Sequence, residues 1–142
     1  MKKKRSARER RSPCPLNASV EMLGDRWSLL ILRDMMLRGA RTYTEFLNSS
    51  FEKIATNILA DRLRRLERDG IITAKTDPTD GRKLIYTLTQ KGIDLAPVLT
   101  EMVLWAAKHE RTGNQPLIQQ MRQDKEGFIA AVKDRLAKQL GT

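Results

Sequence analysis

The order of local signals between residues 42 and 89 constrains the fold more than any other feature. Thr42-Tyr43-Thr44-Glu45 has the spacing of a helix capping box and predicts a short helix to about Leu47. A polar loop follows, and the next helix is predicted over 56–69, with Gly70 at its end. A short helix, a loop and a longer helix are typical of a helix-turn-helix.

Two short β segments come directly after the longer helix, at 71–75 and 84–89. The turn-rich sequence TDPTDGR separates them, and Asp80-Gly81 is the expected hairpin turn. A helix-turn-helix followed by a charged hairpin is the order of a winged helix. The sequence therefore predicts a mainly α (α+β) winged helix-turn-helix with a two-stranded wing.

Two helices are predicted before this series. Asn17 is expected to cap a short helix to about Leu23, with Val20 and Leu23 on its inner face. Asp25 is expected to cap RWSLLILRDMMLR, which ends at Gly39. Because the second helix is apolar nearly all round, we expect it at the centre of the core.

Two further helices are predicted after residue 89. One starts at Thr89 and has a broad apolar face, and Pro97 is expected to kink it. The other starts at Pro116 and continues to about Leu140. A small winged-helix core cannot cover so much apolar surface, so both helices are expected to form a dimer interface. The alternative is that the last helix folds back on its own subunit.

The net charge of +10 is concentrated at the amino terminus, where residues 1–12 hold seven lysines and arginines against one glutamate. Such a segment attracts polyanions such as nucleic acid, or else serves only to solubilise the chain. The predicted organisation is a basic flexible arm (1–12), a winged-helix DNA-binding domain with dimerisation helices (13–112), and a C-terminal helix for dimerisation or packing (113–142).

Several classes of protein are excluded on composition. No apolar run approaches the ~18 residues of a membrane span, and the basic start leads into no secretory signal, so a cytoplasmic protein with no membrane partner is expected. Cys14 is the only cysteine and His109 the only histidine. We therefore expect no internal disulfide, no metal site, no cofactor and no catalytic residues.

The helix predicted at 56–69 has one apolar and one polar face. Leu59, Leu63 and Leu66 share the face expected to be buried. The polar face and its margins carry side chains suited to a DNA groove: Asn57, Ala60, Asp61, Arg64 and Arg65. Asparagine pairs with adenine edges and arginine with guanine edges, while Arg62 or Arg65 would contact phosphates from the flanks.

Four segments together resemble the HxlR-type winged-helix regulators, a family distantly similar to MarR proteins. They are Cys14-Pro15, GDRWSLLILRDMMLRGARTYTEFL, IATNILADRLRRLERDGII and GRKLIYTLTQKG, and the resemblance covers about residues 13–110. It implies a bacterial or archaeal dimeric transcription regulator without enzymatic activity.

The resemblance also assigns DNA contacts by position. It places them at the start of the predicted recognition helix and on the wing, with a segment before the helix-turn-helix bordering the DNA backbone. The residues are Thr56, Asn57, Ala60, Asp61 and Arg64, then Arg82 and Lys83, then Arg41 and Thr42. The family often has Ser and Pro at the helix start, whereas this chain has Ala55-Thr56-Asn57. The cap must therefore come from Thr56 or be missing.

Cys14 occupies the place where several such regulators have a sensing thiol. Basic residues before a cysteine and a helix start after it are features of reactive cysteines. Sulfenic acid, a mixed disulfide and a bond across a dimer are all open to a lone thiol. The alternative is that Cys14 packs as a small apolar residue.

The function predicted from the sequence is that of a homodimeric regulator, interpreted as a repressor, which binds a pseudo-palindromic site in double-stranded DNA. It would respond to thiol oxidation through Cys14 or to an unidentified small-molecule or oxidant effector. The alternative is a winged-helix module that binds RNA or a protein partner without reading DNA sequence.

Overall fold

A computed structural model describes residues 10–140, so most of the basic arm predicted for residues 1–12 lies outside the described part. Residues 10–140 form eight helices and one two-stranded sheet. In chain order the elements are α1 (Pro15–Leu23), α2 (Arg26–Arg38), α3 (Tyr43–Ser49), α4 (Thr56–Arg68), β1 (Ile72–Asp77), β2 (Asp80–Leu88), α5 (Gln90–Ile93), α6 (Ala96–His109), α7 (Gln115–Gln123) and α8 (Lys125–Ala137). The predicted mainly α winged helix is confirmed.

Helix α2 begins and ends, and helix α3 begins, at the residues that the caps predict. Asp25 Oδ1 accepts the Ser28 N–H at 2.7 Å. Gly39 ends α2 in the left-handed region with φ of 71°, which a residue without Cβ adopts freely. The Thr42 capping box is present in both directions with Glu45.

The first helix begins earlier than predicted. Cys14, not Asn17, is the N-cap of α1, and Pro15 is the first helical residue. Proline is favoured there because its φ suits a helix and its missing N–H would have had no helical partner. Leu23 is buried as expected, but Val20 is 55% exposed and does not join the core.

The hairpin turn is not where the sequence predicted it. β1 and β2 pair antiparallel with Asp77 opposite Asp80, so Pro78-Thr79 form the turn. Asp77 Oδ1 accepts the N–H of Thr79 at 2.8 Å, which stabilises this tighter turn. Thr76 then pairs with Leu84, so residues 81–83 form a bulge in β2.

The prolines in the C-terminal part begin helices instead of kinking them. Pro97 is the second residue of α6, and α5 ends before it as a separate turn. The single helix predicted after Pro116 is divided at Asp124 into α7 and α8, because Asp124 Oδ1 accepts the Gly127 N–H at 2.9 Å and starts a new helix.

The core surrounds α2, as its apolar sequence predicts. Leu32 and Met36 are fully buried there, and α2 contacts α3, α4, α6 and α8. Val132 and Leu136 of α8 belong to the same apolar core, so the last segment folds back on its own chain. No helix within residues 10–140 combines the length and the apolar character that crossing a membrane requires.

Candidate nucleic-acid interface

The longer helix of the helix-turn-helix, α4, presents its polar face to solvent. Leu59, Leu63 and Leu66 are at most 2% exposed, as the sequence predicted. Opposite them Asn57 is exposed, and the Arg64 side chain is 72% exposed. The base-reading candidates on α4 are therefore accessible along one face of the helix.

The start of α4 has no side-chain cap. Ala55 is the N-cap residue and makes no capping hydrogen bond, so of the two alternatives for this helix start the missing cap is the one observed. Thr56 and Asn57 are exposed at this end. A residue of α3 fixes the position of the start of α4, because Tyr43 Oη donates to the Thr56 carbonyl oxygen at 2.7 Å.

Arginines of α2 hold the turn between α3 and α4. The Arg33 guanidinium donates to both carboxylate oxygens of Glu52 at 2.8 Å, and this bond holds the pKa of Glu52 down to about 2. Arg38 donates to the Ser49 carbonyl oxygen at 2.8 Å. Between the two arginines, burial raises the pKa of the Asp34 carboxyl above its usual value, and their charges only partly oppose the rise.

A second ion pair ties α4 to the start of α2. Arg62 Nε lies 3.0 Å from Asp25 Oδ2, and Arg62 Nη1 lies 2.5 Å from Asp61 Oδ2. Burial acts to raise the pKa of the Asp25 carboxyl, but hydrogen bonds from Ser28 and the Arg62 charge outweigh it, so that pKa lies below its usual value. The Arg62 side chain is only 18% exposed, so Arg62 is a structural tie and not the phosphate contact considered from the sequence.

Asp61 lies among arginines on the outer face of α4. Its carboxylate is 3.9 Å from Arg64 Nη2 and 3.8 Å from Arg65 Nη1, in addition to its bond with Arg62. A carboxylate in this position orients the neighbouring guanidinium groups. Ala60, half-buried between the exposed residues, keeps this face narrow.

Two exposed basic residues of the wing lie just after its turn. The Arg82 side chain is 92% exposed and its Nε lies 3.3 Å from Asp80 Oδ1. Lys83 is exposed beside it in the bulge of β2. The bulge leaves both residues outside the regular pairing of the hairpin.

Arg41 and Thr42 lie at the base of the wing. Arg41 Nη2 donates to Thr87 Oγ1 at 2.7 Å, and the Arg41 carbonyl oxygen accepts the Tyr86 N–H at 2.8 Å. Thr42 caps α3. Both residues therefore hold the wing and the short helix in place.

Cys14 lies apart from these residues at the first turn of α1. It is exposed and does not pack in the core of the chain. Exposed apolar side chains accompany it on α1, where Leu16 is 71% exposed, and a second exposed set lies along α6, where Trp105 is 67% exposed. Within residues 10–140 no group of three or more His, Cys, Asp or Glu is arranged to hold a metal ion.

The ties that position α4 were not predicted from the sequence. Tyr43 with Thr56, Arg33 with Glu52, and Arg62 with Asp25 are 13 to 37 residues apart. Local spacing carries no signal for such pairs. The sequence offered one indication of such long-range pairs, namely the charged residues within the otherwise apolar helix α2.

A sequence model described as "HxlR-like helix-turn-helix" matches residues 22–114, which include α2, the helix-turn-helix, the wing and α6. The chain belongs to the HxlR family. Two relatives from Bacillus subtilis (strain 168) illustrate the similarity. The HTH-type transcriptional regulator YodB is 35% identical over 66% of this chain and 82% of its own length. The uncharacterised HTH-type regulator YvaP is 31% identical over 67% and 87%.

Solved structures of transcription regulators have a similar fold. PA1607, a candidate transcription factor, aligns with a TM-score of 0.65 and 34% identity over 73% of this chain and 70% of its own. The oxidised form of the redox regulator HypR aligns with a TM-score of 0.60 and 26% identity. The alignment covers 70% of this chain and 100% of the HypR chain. Because the family and these relatives are transcriptional regulators, the chain is a helix-turn-helix regulator and not an enzyme.

Proposed function

We propose that this HxlR-family protein acts as a cytoplasmic homodimer that binds a pseudo-palindromic site in double-stranded DNA and represses transcription. The observation that carries the proposal is the joint exposure of the α4 polar face and of the wing beside its turn, where the side chains of Arg64 and Arg82 are 72% and 92% exposed. In a helix-turn-helix the second helix enters the major groove and its first residues contact base edges.

Each candidate residue has a distinct role in this proposal. Asn57 and Arg64 read base edges, and Ala60 lets the helix approach closely. Thr56 contacts phosphate at the helix start, where free backbone N–H groups favour anions. The remaining candidates support these contacts: Asp61 orients the arginines, Arg65, Arg82 and Lys83 contact phosphates, and Arg41 and Thr42 hold the wing beside the backbone.

The dimer is supported by the two exposed apolar sets on α1 and α6. Val98, Met102 and Trp105 are 45%, 49% and 67% exposed and follow one another at helical spacing on α6. Leu16 and Val20 on α1 are 71% and 55% exposed. A two-fold dimer that buries these faces presents two copies of α4, which explains the expected pseudo-palindromic site.

The test is selection from random DNA duplexes at physiological salt, followed by affinity measurements on the selected site. Arg64→Gln should weaken binding by about 1–3 kcal/mol, about 5- to 150-fold, and relax the preference at one base pair. Arg122→Gln, which removes the same charge from an exposed position on α7, is the matched control and should change binding by less than about twofold.

Two results would contradict the proposal. If no inverted repeat is enriched and binding only follows the salt concentration, the chain does not read DNA sequence. If Arg64→Gln and Arg122→Gln weaken binding equally, α4 is not the reading helix. Repression is tested with the selected site placed across a promoter, where deletion of the gene should raise reporter expression.

We also propose that oxidation of Cys14 regulates DNA binding. Cys14 is exposed at the first turn of α1, next to the apolar residues proposed for the dimer interface. HypR is described as a redox regulator and was solved in reduced and oxidised forms, and YodB was solved in reduced, diamide-treated and quinone-bound forms. Modification at this place would alter how two copies of α1 pack.

Diamide treatment with and without Cys14→Ser tests this proposal. Diamide should lower affinity for the selected site in the unmodified protein and leave Cys14→Ser unaffected. Non-reducing electrophoresis and intact mass then distinguish a disulfide between two protomers from a mixed disulfide or a sulfenic acid. Equal sensitivity of both proteins would refute a role for this cysteine.

A further inference from the structure

The C-terminal helices border a cavity, open to solvent on one side, that the proposed function does not use. Its volume is about 720 Å³, and its walls come from α2, α6, α7 and α8. Small-molecule sites in proteins measure about 300–1,000 Å³. The family match ends at residue 114, so α7 and α8, which complete the wall of the cavity, lie outside the matched residues.

One part of the wall is apolar and comes from all four helices. The residues that line it are Leu37, Val103, Leu117, Phe128 and Val132. Four of these side chains are half-buried, and Val132 is buried. A surface of this kind accommodates a hydrocarbon or ring body but supplies no hydrogen bond to orient it.

The polar part of the wall is rich in guanidinium groups. Arg33, Arg38 and Arg135 line it together with one carboxylate, Asp124, which is already engaged in capping α8. Arg33 is occupied by Glu52 on both of its terminal nitrogens. Arg38 is likewise paired with Asp34, at 3.0 Å. Arg135 is therefore the guanidinium of this wall whose charge can favour a negatively charged guest.

Arg135 is the arginine best placed to receive such a guest. It donates to the carbonyl oxygen of Met36 in the last turn of α2, and within residues 10–140 no carboxylate lies within ion-pair distance of it. A guanidinium carries five N–H donors in a planar fork that matches a carboxylate or sulfonate. The bond to Met36 fixes the orientation of the fork and leaves most of its donors for a ligand.

We propose that this cavity binds an amphipathic organic anion, with its acidic group on Arg135 and its apolar body against Leu117 and Phe128. The site is independent of the DNA-reading residues, so it does not depend on the proposed function. It is also separate from the exposed α6 face, because Val103 lines the cavity whereas Met102 and Trp105 point to solvent.

The aromatic sulfonate 1-anilinonaphthalene-8-sulfonate is a suitable fluorescent probe, and its neutral analogue N-phenyl-1-naphthylamine controls for the charge. Titration of the full chain should show one saturable sulfonate site per protomer. Ala131→Trp, which fills the cavity from α8, should weaken sulfonate binding by at least about tenfold. Ala130→Trp, at the adjacent exposed alanine that does not line the cavity, should change it by less than about twofold.

Arg135→Gln tests the recognition of charge. The substitution should weaken binding of the sulfonate by about tenfold and binding of the neutral analogue by less than about twofold. The proposal is overturned if the chain binds no sulfonate, or if Ala131→Trp and Ala130→Trp behave alike, since the probe would then lie elsewhere. It is also overturned if Arg135→Gln weakens both probes equally, because the site would not select an anion. Far-ultraviolet circular dichroism checks that each variant is folded.

Discussion

Replacement of Asp25 should show how strongly the start of α2 is tied to α4. Asp25→Ala removes the N-cap of α2, which typically contributes about 1 kcal/mol. It also takes a partner from the Ser28 hydroxyl, only 1% exposed, and from Arg62, and a buried polar group that loses its bond costs about 1–3 kcal/mol. Because Arg62 keeps Asp61, we expect the free energy of unfolding to fall by about 2–3 kcal/mol in total.

Urea unfolding followed by circular dichroism measures the effect, with Asp25→Asn as the matched variant. Asparagine still caps the helix but carries no charge, so its cost should be only about 1 kcal/mol at neutral pH. Because the folded pKa of Asp25 lies below the ordinary value of 3.8, its stabilising effect is present above about pH 4 and is lost as the pH falls further. A cost below about 0.5 kcal/mol for Asp25→Ala, or equal costs for both variants, would refute this reasoning.

Three further predictions concern the turn, the end of α2 and the dimer. Glu52→Gln should lower the free energy of unfolding by about 1–2 kcal/mol at pH 7, and the loss should shrink as the pH falls from 4.5 towards the folded pKa of about 2; a pH-independent loss in urea unfolding would contradict the ion pair with Arg33. Gly39→Ala should lower the free energy of unfolding by about 1 kcal/mol, because φ at this residue is 71°. In thermal unfolding, Gly39→Asn should be less destabilising than Gly39→Ala. Trp105→Glu should shift sedimentation towards monomer while Leu140→Glu does not; an unchanged dimer would place the interface elsewhere.

Much of the fold could be predicted because its signals are local. The caps at Asp25 and Thr42 bond to residues three positions ahead, so the sequence spacing contains the interaction itself. The apolar stripe Leu59, Leu63 and Leu66 follows from helical periodicity in the same way. Such signals establish where the helix-turn-helix begins and which face of α4 is exposed.

The errors arose where two local signals competed. Pro97 is compatible with a kinked helix and with the first turn of a new one, and the helix start is observed. Asp80-Gly81 and Pro78-Thr79 are both turn formers, and the side chain of Asp77 favours the second by bonding to Thr79. In each case both signals fit the hydrophobic periodicity, so periodicity alone does not decide between them.

Helix α2 contacts both the helix-turn-helix and the C-terminal helix α8. One set of its side chains fixes the helix-turn-helix, since Arg33 holds Glu52 and Arg38 holds the carbonyl oxygen of Ser49. The same two arginines line the cavity that α7 and α8 complete. The segment after residue 114 therefore packs, through α8, against the helix that holds the turn before α4, although it contributes no candidate contact to DNA.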